Sequence, residues 1–244
     1  HFISAIRNSK PGKECLHIMN HTTTLKENLR QEKYQAILTD LYVDPNRIDY
    51  QTTRYIKAIE CYETAFGAGG VSIYSAPGRS EIGGNHTDHQ HGEVLAASIN
   101  NDAIAVVSPL DEPVVKVISD SYELITIDLG NLSLQESEKG STRALIKGVL
   151  VSAQERGYRI GGFQTYITSD VLIGAGLSSS AAFETIIGTI LSGLYNEMKI
   201  SPIEIAMMGQ YAENVYFGKP CGLMDQMACS VGSLVHIDFA DPAK

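Results

Sequence analysis

The chain has 244 residues, of which 43% are hydrophobic and 19% are charged, and its formal net charge is −9 at pH 7. This length and composition are typical of a folded globular protein and exclude a disordered chain. The negative charge argues against nucleic-acid binding, because it repels a phosphate backbone, but it still allows a small anionic ligand to bind in a local pocket.

Membrane insertion and secretion find no support in the sequence. The longest apolar stretch, residues 181–194, contains Glu184 and is too short to cross a bilayer. The N-terminal residues lack the pattern of a secretion signal. The cysteines form no C-x-x-C pair, so we expect reduced thiols in a cytoplasmic protein; they are Cys15, Cys61, Cys221 and Cys229.

Residues 1–66 are predicted to form a helical N-terminal arm. Apolar residues at helical spacing predict helices over 25–41 and 48–66, with a turn at Asp44-Pro45-Asn46 between them. The segment Gly67-Ala68-Gly69-Gly70 marks the single shift in composition, so we predict a second domain over residues 67–244.

From residue 71 the pattern changes to short β-branched runs and then to helices. Ser201, Pro202 and Glu204 form the start signal of a helix that we expect to end near residue 217. The order predicts an α+β fold with a mixed sheet, not the regular alternation of a dinucleotide-binding sheet. The predicted strands are 71–76, 103–108, 114–119, 124–129, 163–168 and 234–239, and the other predicted helices are 142–156 and 178–196.

A glycine- and serine-rich stretch, residues 174–180, comes directly before an apolar helix. Glycine allows close backbone approach, and a helix start offers unpaired N–H groups and a positive dipole, so the stretch predicts an anion site, with phosphate as the usual guest. A glycine loop with a serine cap is the simpler alternative. Neither a P-loop sequence nor the protein-kinase motifs are present.

Polar residues are concentrated in a predicted loop over 77–89. Short polar side chains of this kind suit a pocket that binds the hydroxyls of a sugar. The alternatives are a solvated loop, or a metal site for which no standard ligand spacing is present. The metal alternative would use His86, Asp88, His89 and His91.

Two carboxylates mark the third stretch. Glu213 comes late in a predicted helix, and Asp225 follows a Pro/Gly turn among apolar residues, where a carboxylate needs a partner. Asp225 is either a helix N-cap or a catalytic carboxylate paired with a cation such as Arg79.

These three stretches resemble, in order, the motifs of the GHMP small-molecule kinases and of their galactokinase branch. Residues 77–89 resemble the signature G-R-x-N-x-I-G-E-H-x-D-Y, residues 174–182 resemble G-x-G-L-S-S-S-A, and residues 221–226 resemble C-G-x-M-D-Q. The resemblance covers about residues 67–244 and implies a GHMP-kinase N-terminal domain, a mixed sheet with packed helices, that follows the helical arm.

The resemblance also implies an activity: ATP- and Mg²⁺-dependent phosphorylation of the C1 hydroxyl of a monosaccharide, with galactose as the first choice. Asp225 would face the hydroxyl with Arg79 beside it, which favours the charged form of the carboxylate. Ser180 and Glu213 match the magnesium ligands. The sugar contacts would be Glu81, Asn85, His86, Asp88 and Gly222, and the ATP phosphates would lie against Gly174, Ala175, Gly176, Leu177, Ser178, Ser179 and Ser180.

Several signature positions depart from the family pattern. Glu81 stands where the pattern has Asn, Asn85 where it has Glu, His89 where it has Tyr, and Gly83 where it has Ile. An amide both donates and accepts hydrogen bonds whereas a carboxylate only accepts, so these changes leave two alternatives open. One is a kinase for another sugar, such as an N-acetylhexosamine, and the other is a regulatory protein that binds sugar and ATP.

The family's third glycine-rich motif, G-A-G-x-G-G, is absent from the sequence. We therefore expect the chain to be an N-terminal fragment of a longer kinase, with little activity by itself.

Overall fold

The computed structural model describes residues 3–5, 19–84, 92–120, 123–172 and 174–240. The helices are α1 (Thr22–Arg30), α2 (Gln35–Tyr42), α3 (Ile48–Phe66), α4 (Thr142–Glu155), α5 (Ser179–Tyr195), α6 (Pro202–Tyr211) and α7 (Met224–Val231), with a π-helical turn at Ala212–Phe217 and 3₁₀ turns at Pro45–Arg47 and Glu136–Glu138. The strands are β1 (Ile3–Ala5), β2 (Asn20–His21), β3 (Gly70–Gly83), β4 (Glu93–Leu110), β5 (Val114–Ser119), β6 (Ile125–Asp128), β7 (Gly162–Ser169) and β8 (Leu234–Asp238).

One mixed sheet organises these elements. Six strands lie in the order β1-β3-β4-β7-β5-β6, while β2 pairs with β3 and β8 pairs with β4. The pairs β1–β3 and β5–β7 are parallel and the other pairs are antiparallel. The α+β class and the mixed sheet predicted from the sequence are confirmed. None of the described helices is long and apolar enough to cross a membrane.

The sheet buries both of its faces, as the alternation along β4 shows. Ala103, Ala105 and Val107 belong to the core formed with α4, α5 and α6, whereas Ile104 and Val106 belong to the core formed with α1, α2 and α3. Successive strand residues point to opposite faces, so one strand supplies both cores. The predicted division into domains after residue 66 stays a prediction; in the structure the arm helices share a core with β3 and β4.

The N-terminal helices differ from their prediction in one place. A single helix over 25–41 is wrong, because the chain turns over residues 31–34 between α1 and α2. Glu32 has φ of 57° there, a left-handed conformation that ends a helix. The helix predicted over 48–66 is confirmed as α3.

Strand β3 continues beyond its predicted end. The predicted loop over 77–89 is wrong for residues 77–83, which pair with β4 across register shifts at Pro77/Arg79 and Glu81/Gly83. A bulge tolerates Pro77, which has no N–H to donate to the ladder. Arg79 and Glu81 therefore lie on a strand, and residues 85–91 lie outside the described part of the chain.

Local start signals are reproduced well at other places. Ser201 and Glu204 form the predicted capping box, with Pro202 in the first turn of α6. The sequence interpretation assigned no strand at β1 or β2, and it gave a helix at α7 only through the alternative that Asp225 is an N-cap; all three elements are short. Of the cysteines, Cys61, Cys221 and Cys229 are free thiols, and Cys15 lies outside the described residues.

A buried ion pair fastens the arm to the sheet. The Arg54 guanidinium of α3 donates to Asp102 of β4 through Nη1 to Oδ1 at 2.6 Å and through Nη2 to the main-chain carbonyl at 2.7 Å. Tyr42 and Ser75 donate to the other oxygen of Asp102, and burial raises the pKa of Tyr42 well above its ordinary value. Only 6% of the Arg54 side chain and 4% of the Asp102 side chain are exposed.

Removing the cation should therefore destabilise the fold strongly. Arg54→Met leaves Asp102 as an uncompensated buried charge, so we expect a loss of about 3–5 kcal/mol in the free energy of unfolding. Arg30→Met breaks the solvent-exposed pair with Glu60 and should cost about 1 kcal/mol or less. Urea titration measures both, and equal losses in the two variants would contradict this account.

Candidate active site

Arg79 of β3 lies at the centre of the candidate site. Its Nε donates to Asp225 Oδ1 at 2.7 Å and its Nη1 donates to the Gly176 carbonyl at 2.6 Å. Its main-chain N–H donates to the Leu177 carbonyl at 3.2 Å. The structure thus brings together the strand, the glycine-rich stretch and the start of α7, and the predicted pairing of Arg79 with Asp225 is present.

The glycine-rich stretch forms a turn directly before α5 and continues into its first residues, and residues 174–176 are exposed. Gly174 and Gly176 have φ of 75° and 73°, which side-chain-bearing residues rarely adopt. The stretch also runs close to β3, because a Cβ atom on Gly78 would stand 2.9 Å from the Leu177 carbonyl oxygen. The backbone of the stretch therefore packs against β3 on one side and is open to solvent on the other.

Ser178 occupies the N-cap position of α5 but does not cap it. It has φ of 57° and ψ of 58°, and no side-chain hydrogen bond closes the helix start. Its hydroxyl instead donates to Asp225 Oδ2 at 2.5 Å. The simpler interpretation of a glycine loop with a serine cap is wrong in this respect, and the first N–H groups of α5 keep their ability to bind an anion.

Asp225 lies in the first turn of α7, where the N-cap residue is Leu223. The alternative that Asp225 is itself a helix N-cap is therefore wrong. Its two oxygens accept from Arg79 and Ser178, and 31% of its side chain is exposed. A carboxylate fixed at both oxygens yet open to solvent can orient a hydroxyl group or accept its proton.

Glu213 lies in the π-helical turn, and only 4% of the residue is exposed. Its Oε1 accepts from the Ser180 hydroxyl at 3.2 Å and from the Lys219 ammonium at 3.4 Å, while its Oε2 accepts from Gln226 at 3.0 Å. A hydroxyl beside a carboxylate is a donor set that fits Mg²⁺, which keeps several water ligands. No group of three or more metal-ligating side chains is found among the described residues.

A second buried acid lies behind this pair. Glu184 of α5 is 1% exposed, and its Oε2 accepts from the Gln226 amide at 3.2 Å. Burial, reinforced by the charge of Glu213, raises the pKa of Glu184 well above its ordinary value. Glu184 therefore remains protonated over a pH range in which exposed glutamates are ionised.

An apolar cavity of about 460 Å³ opens beside the start of α5. Ser179 and Ser180 form one edge of it, and its walls include Val117, Leu145 and Phe183. The size and apolar character suit a planar ring of a small ligand. Sequence reasoning missed this cavity, because its residues come from separate strands and helices and share no local motif.

The predicted sugar contacts are only partly described. Glu81 is half-buried near the end of β3, and Gly222 is half-buried in the turn before α7. Asn85, His86 and Asp88 lie outside the described residues, as do His89 and His91 of the alternative metal site. The sugar-binding roles stay predictions.

The close approach of Gly78 to the glycine-rich stretch leads to a matched pair of variants. Gly78→Ala places a methyl group against Leu177 and Val171, so we expect a loss of about 1–3 kcal/mol in unfolding free energy from overpacking. Gly83→Ala meets no atom within 4 Å and should stay within about 0.5 kcal/mol of the wild type. Urea unfolding checks both, and faster hydrogen exchange at the Arg79 amide should accompany the loss in Gly78→Ala alone.

The raised pKa of Glu184 makes stability depend on pH. The folded chain holds a proton that the unfolded chain releases near its ordinary pKa of 4.5, so this contribution is complete at low pH and is lost as the pH rises through the folded value. The glutamine in Glu184→Gln does not titrate. The free energy of unfolding of this variant, relative to that of the wild type, should therefore be greater at about pH 9 than at about pH 5. Unfolding titrations at both pH values measure the difference; the exposed control Glu27→Gln should show a flat difference, and a flat result for Glu184→Gln would contradict the prediction.

Comparison with known protein families gives two matches along the chain. The GHMP kinases N terminal domain matches residues 144–233, which contain the glycine-rich stretch, Glu213 and Asp225. The galactokinase galactose-binding signature matches residues 60–109, which contain Arg79 and the β3–β4 pair. Arg79 lies in the segment that matches the galactose-binding signature, and Asp225 lies in the segment that matches the N-terminal domain. The ion pair between them therefore joins the two matched segments.

Similar proteins agree with these matches. The galactokinase of Pyrococcus furiosus is 38% identical over 167 residues, which are 68% of this chain and 46% of that protein. The galactokinase of Streptomyces coelicolor is 33% identical over 185 residues, which are 75% of this chain and 48% of that protein. The chain thus spans about half the length of the curated relatives it matches.

A solved structure extends the likeness to the fold. The crystal structure of Lactococcus lactis galactokinase complexed with galactose superposes with a TM-score of 0.69 at 28% identity, covering 74% of this chain and 48% of that chain. The predicted GHMP-kinase N-terminal fold is confirmed. The chain therefore belongs to the GHMP kinase family and, within it, to the galactokinases, whose N-terminal portion it matches.

Proposed function

We propose that this chain supplies the acceptor site and the phosphate site of a sugar 1-kinase that transfers the terminal phosphoryl group of ATP to the C1 hydroxyl of galactose. The observation that carries the proposal is the connection of Arg79 to both Asp225 and Gly176. One guanidinium thereby fixes the distance between a carboxylate that can face a hydroxyl and a loop that can face a phosphate.

On the acceptor side, Asp225 would orient the sugar hydroxyl and accept its proton. Arg79 and Ser178 hold both carboxylate oxygens, so the side chain needs no reorganisation when the sugar arrives. Phosphoryl transfer depends mainly on positioning and charge stabilisation, so a fixed carboxylate suffices for the acceptor.

On the nucleotide side, the glycine-rich stretch and the uncapped start of α5 would bind the phosphates of ATP. The neighbouring cavity would take the adenine ring, since it is apolar and begins at Ser179 and Ser180. Ser180 and Glu213 would hold Mg²⁺, which, when bound, neutralises charge on the transferring phosphoryl group.

Galactose is the proposed acceptor because residues 60–109 match a galactose-binding signature and because the similar Lactococcus lactis structure is a complex with galactose. The exchanged residues Glu81 and Asn85 favour a second candidate, a kinase for another monosaccharide such as an N-acetylhexosamine. A regulatory protein that only binds sugar and ATP would not need the Arg79–Asp225 pair. Cytoplasmic location stays a prediction.

A sugar panel with ATP and Mg²⁺ tests the activity on the full product of the gene. We expect phosphorylation of galactose in the wild type, and Asp225→Asn should lower kcat by about 10²–10⁴-fold, because the amide cannot accept the proton. The KM for sugar should change by no more than about threefold, since shape and most hydrogen bonds are kept. Asp44→Asn, the same exchange at an exposed turn cap, should leave both constants unchanged.

Either of two results would overturn the proposed function. One is the absence of phosphoryl transfer to every sugar in the panel, and the other is a full rate in Asp225→Asn. Transfer to an N-acetylhexosamine in preference to galactose would support the second candidate instead.

A further inference from the structure

Gln226 is the residue after Asp225 in the first turn of α7, and it is fully buried. Its Nε2 atom donates to Glu213 Oε2 at 3.0 Å and to Glu184 Oε2 at 3.2 Å. We propose that Gln226 is a positioning residue that fixes the Glu213 carboxylate for a divalent cation, with Glu184 as the second anchor of its amide. This inference rests on the proposed function, because the cation is the one that accompanies the nucleotide.

The two oxygens of Glu213 have different kinds of partner. Oε2 is held by a buried amide, whereas Oε1 accepts from the Ser180 hydroxyl and from Lys219, whose side chain is 65% exposed. A long exposed lysine side chain can withdraw into solvent when a metal ion arrives. The divalent cation would therefore bind at Oε1, where it would displace the Lys219 ammonium.

The backbone around Glu213 does not by itself set the direction of its side chain. Residues 212–217 form a π-helical turn, in which side chains lose the regular spacing of an α-helix. A glutamate has three rotatable side-chain bonds, so a buried one needs a fixed partner to present a single oxygen. Gln226 is the described partner of Oε2 that can do this, because it is fully buried and stands on a neighbouring helix.

The second anchor of the Gln226 amide lies on the helix that carries Ser180. Glu184 follows Ser180 by four residues on α5, so both side chains lie on one face of that helix. Gln226 links this face to the π-helical turn through its two N–H groups. Because Asp225 and Gln226 are consecutive on α7, one rigid helix fixes the acceptor carboxylate and the metal-binding carboxylate together.

Gln226→Met tests the assignment in the full gene product, because methionine keeps the length of the side chain and removes the donor. The measurement is the binding of Mn²⁺ in the presence of ADP, followed by electron paramagnetic resonance, together with the Mg²⁺ concentration that gives half-maximal rate. Loss of a group that orients a metal ligand typically weakens metal binding, so we expect a rise of about 10- to 100-fold in the dissociation constant of Mn²⁺. The KM for the sugar should stay within about twofold of the wild type, since Asp225 is untouched.

The matched control is Gln51→Met, which removes another fully buried amide, on α3 and away from the site. It should destabilise the fold comparably but leave Mn²⁺ binding unchanged. If Gln226→Met does not fold, Gln226→Asn keeps the amide and shortens its reach, and it should weaken Mn²⁺ binding by a smaller factor.

The inference would be overturned if Mn²⁺ binding were unchanged in the variants of Gln226. It would also be overturned if Gln51→Met weakened Mn²⁺ binding as much as Gln226→Met does. In both cases the activity of the wild type would remain. A wild-type protein that neither binds Mn²⁺ with ADP nor transfers phosphate would overturn the proposed function, and the inference with it. The two failures are distinguishable because the first appears only in the variants.

Discussion

The guanidinium of Arg79 is the interaction on which the site depends. A buried cation is stable only when its partners compensate for lost hydration, and here those partners are the Asp225 carboxylate and the Gly176 carbonyl. The same contacts bring strand β3, the glycine-rich stretch and helix α7 into one arrangement. The Arg79 side chain thus contributes both to the stability of the fold and to the geometry of the site. A substitution of Arg79 would change both.

Three buried or half-buried carboxylates lie within this small region, and each avoids an uncompensated charge differently. Asp225 is paired with a guanidinium. Glu213 accepts from an amide, a hydroxyl and an exposed ammonium. Burial and the charge of Glu213 raise the pKa of Glu184 well above its ordinary value, which favours its neutral form. A carboxyl group whose neutral form is favoured repels neighbouring carboxylates less, so the three side chains can lie close together.

Local signals in the sequence predicted the parts that local physics determines. The Ser201 capping box and the helix over 48–66 needed only neighbouring residues, and both are present. The strand position of Arg79 depends instead on a bulge opposite β4, and the break at Glu32 allows α1 and α2 each to pack against α3. The Arg54–Asp102 pair joins residues 48 positions apart, and a single sequence carries no sign of such pairing. Motif resemblance supplied the candidate site residues, but not the apolar cavity or the hydroxyl of Ser178 on Asp225.

Ser178 adopts a left-handed backbone conformation that costs a residue with a side chain of order 1–3 kcal/mol, and its hydroxyl connects the glycine-rich stretch to the Asp225 carboxylate. A phosphate that drew this hydroxyl away would change how Asp225 receives a sugar, and a sugar on Asp225 would change how the loop receives a phosphate. Thermodynamic linkage makes the two effects equal in size. The two ligands would then communicate through a single oxygen atom, without any movement of domains.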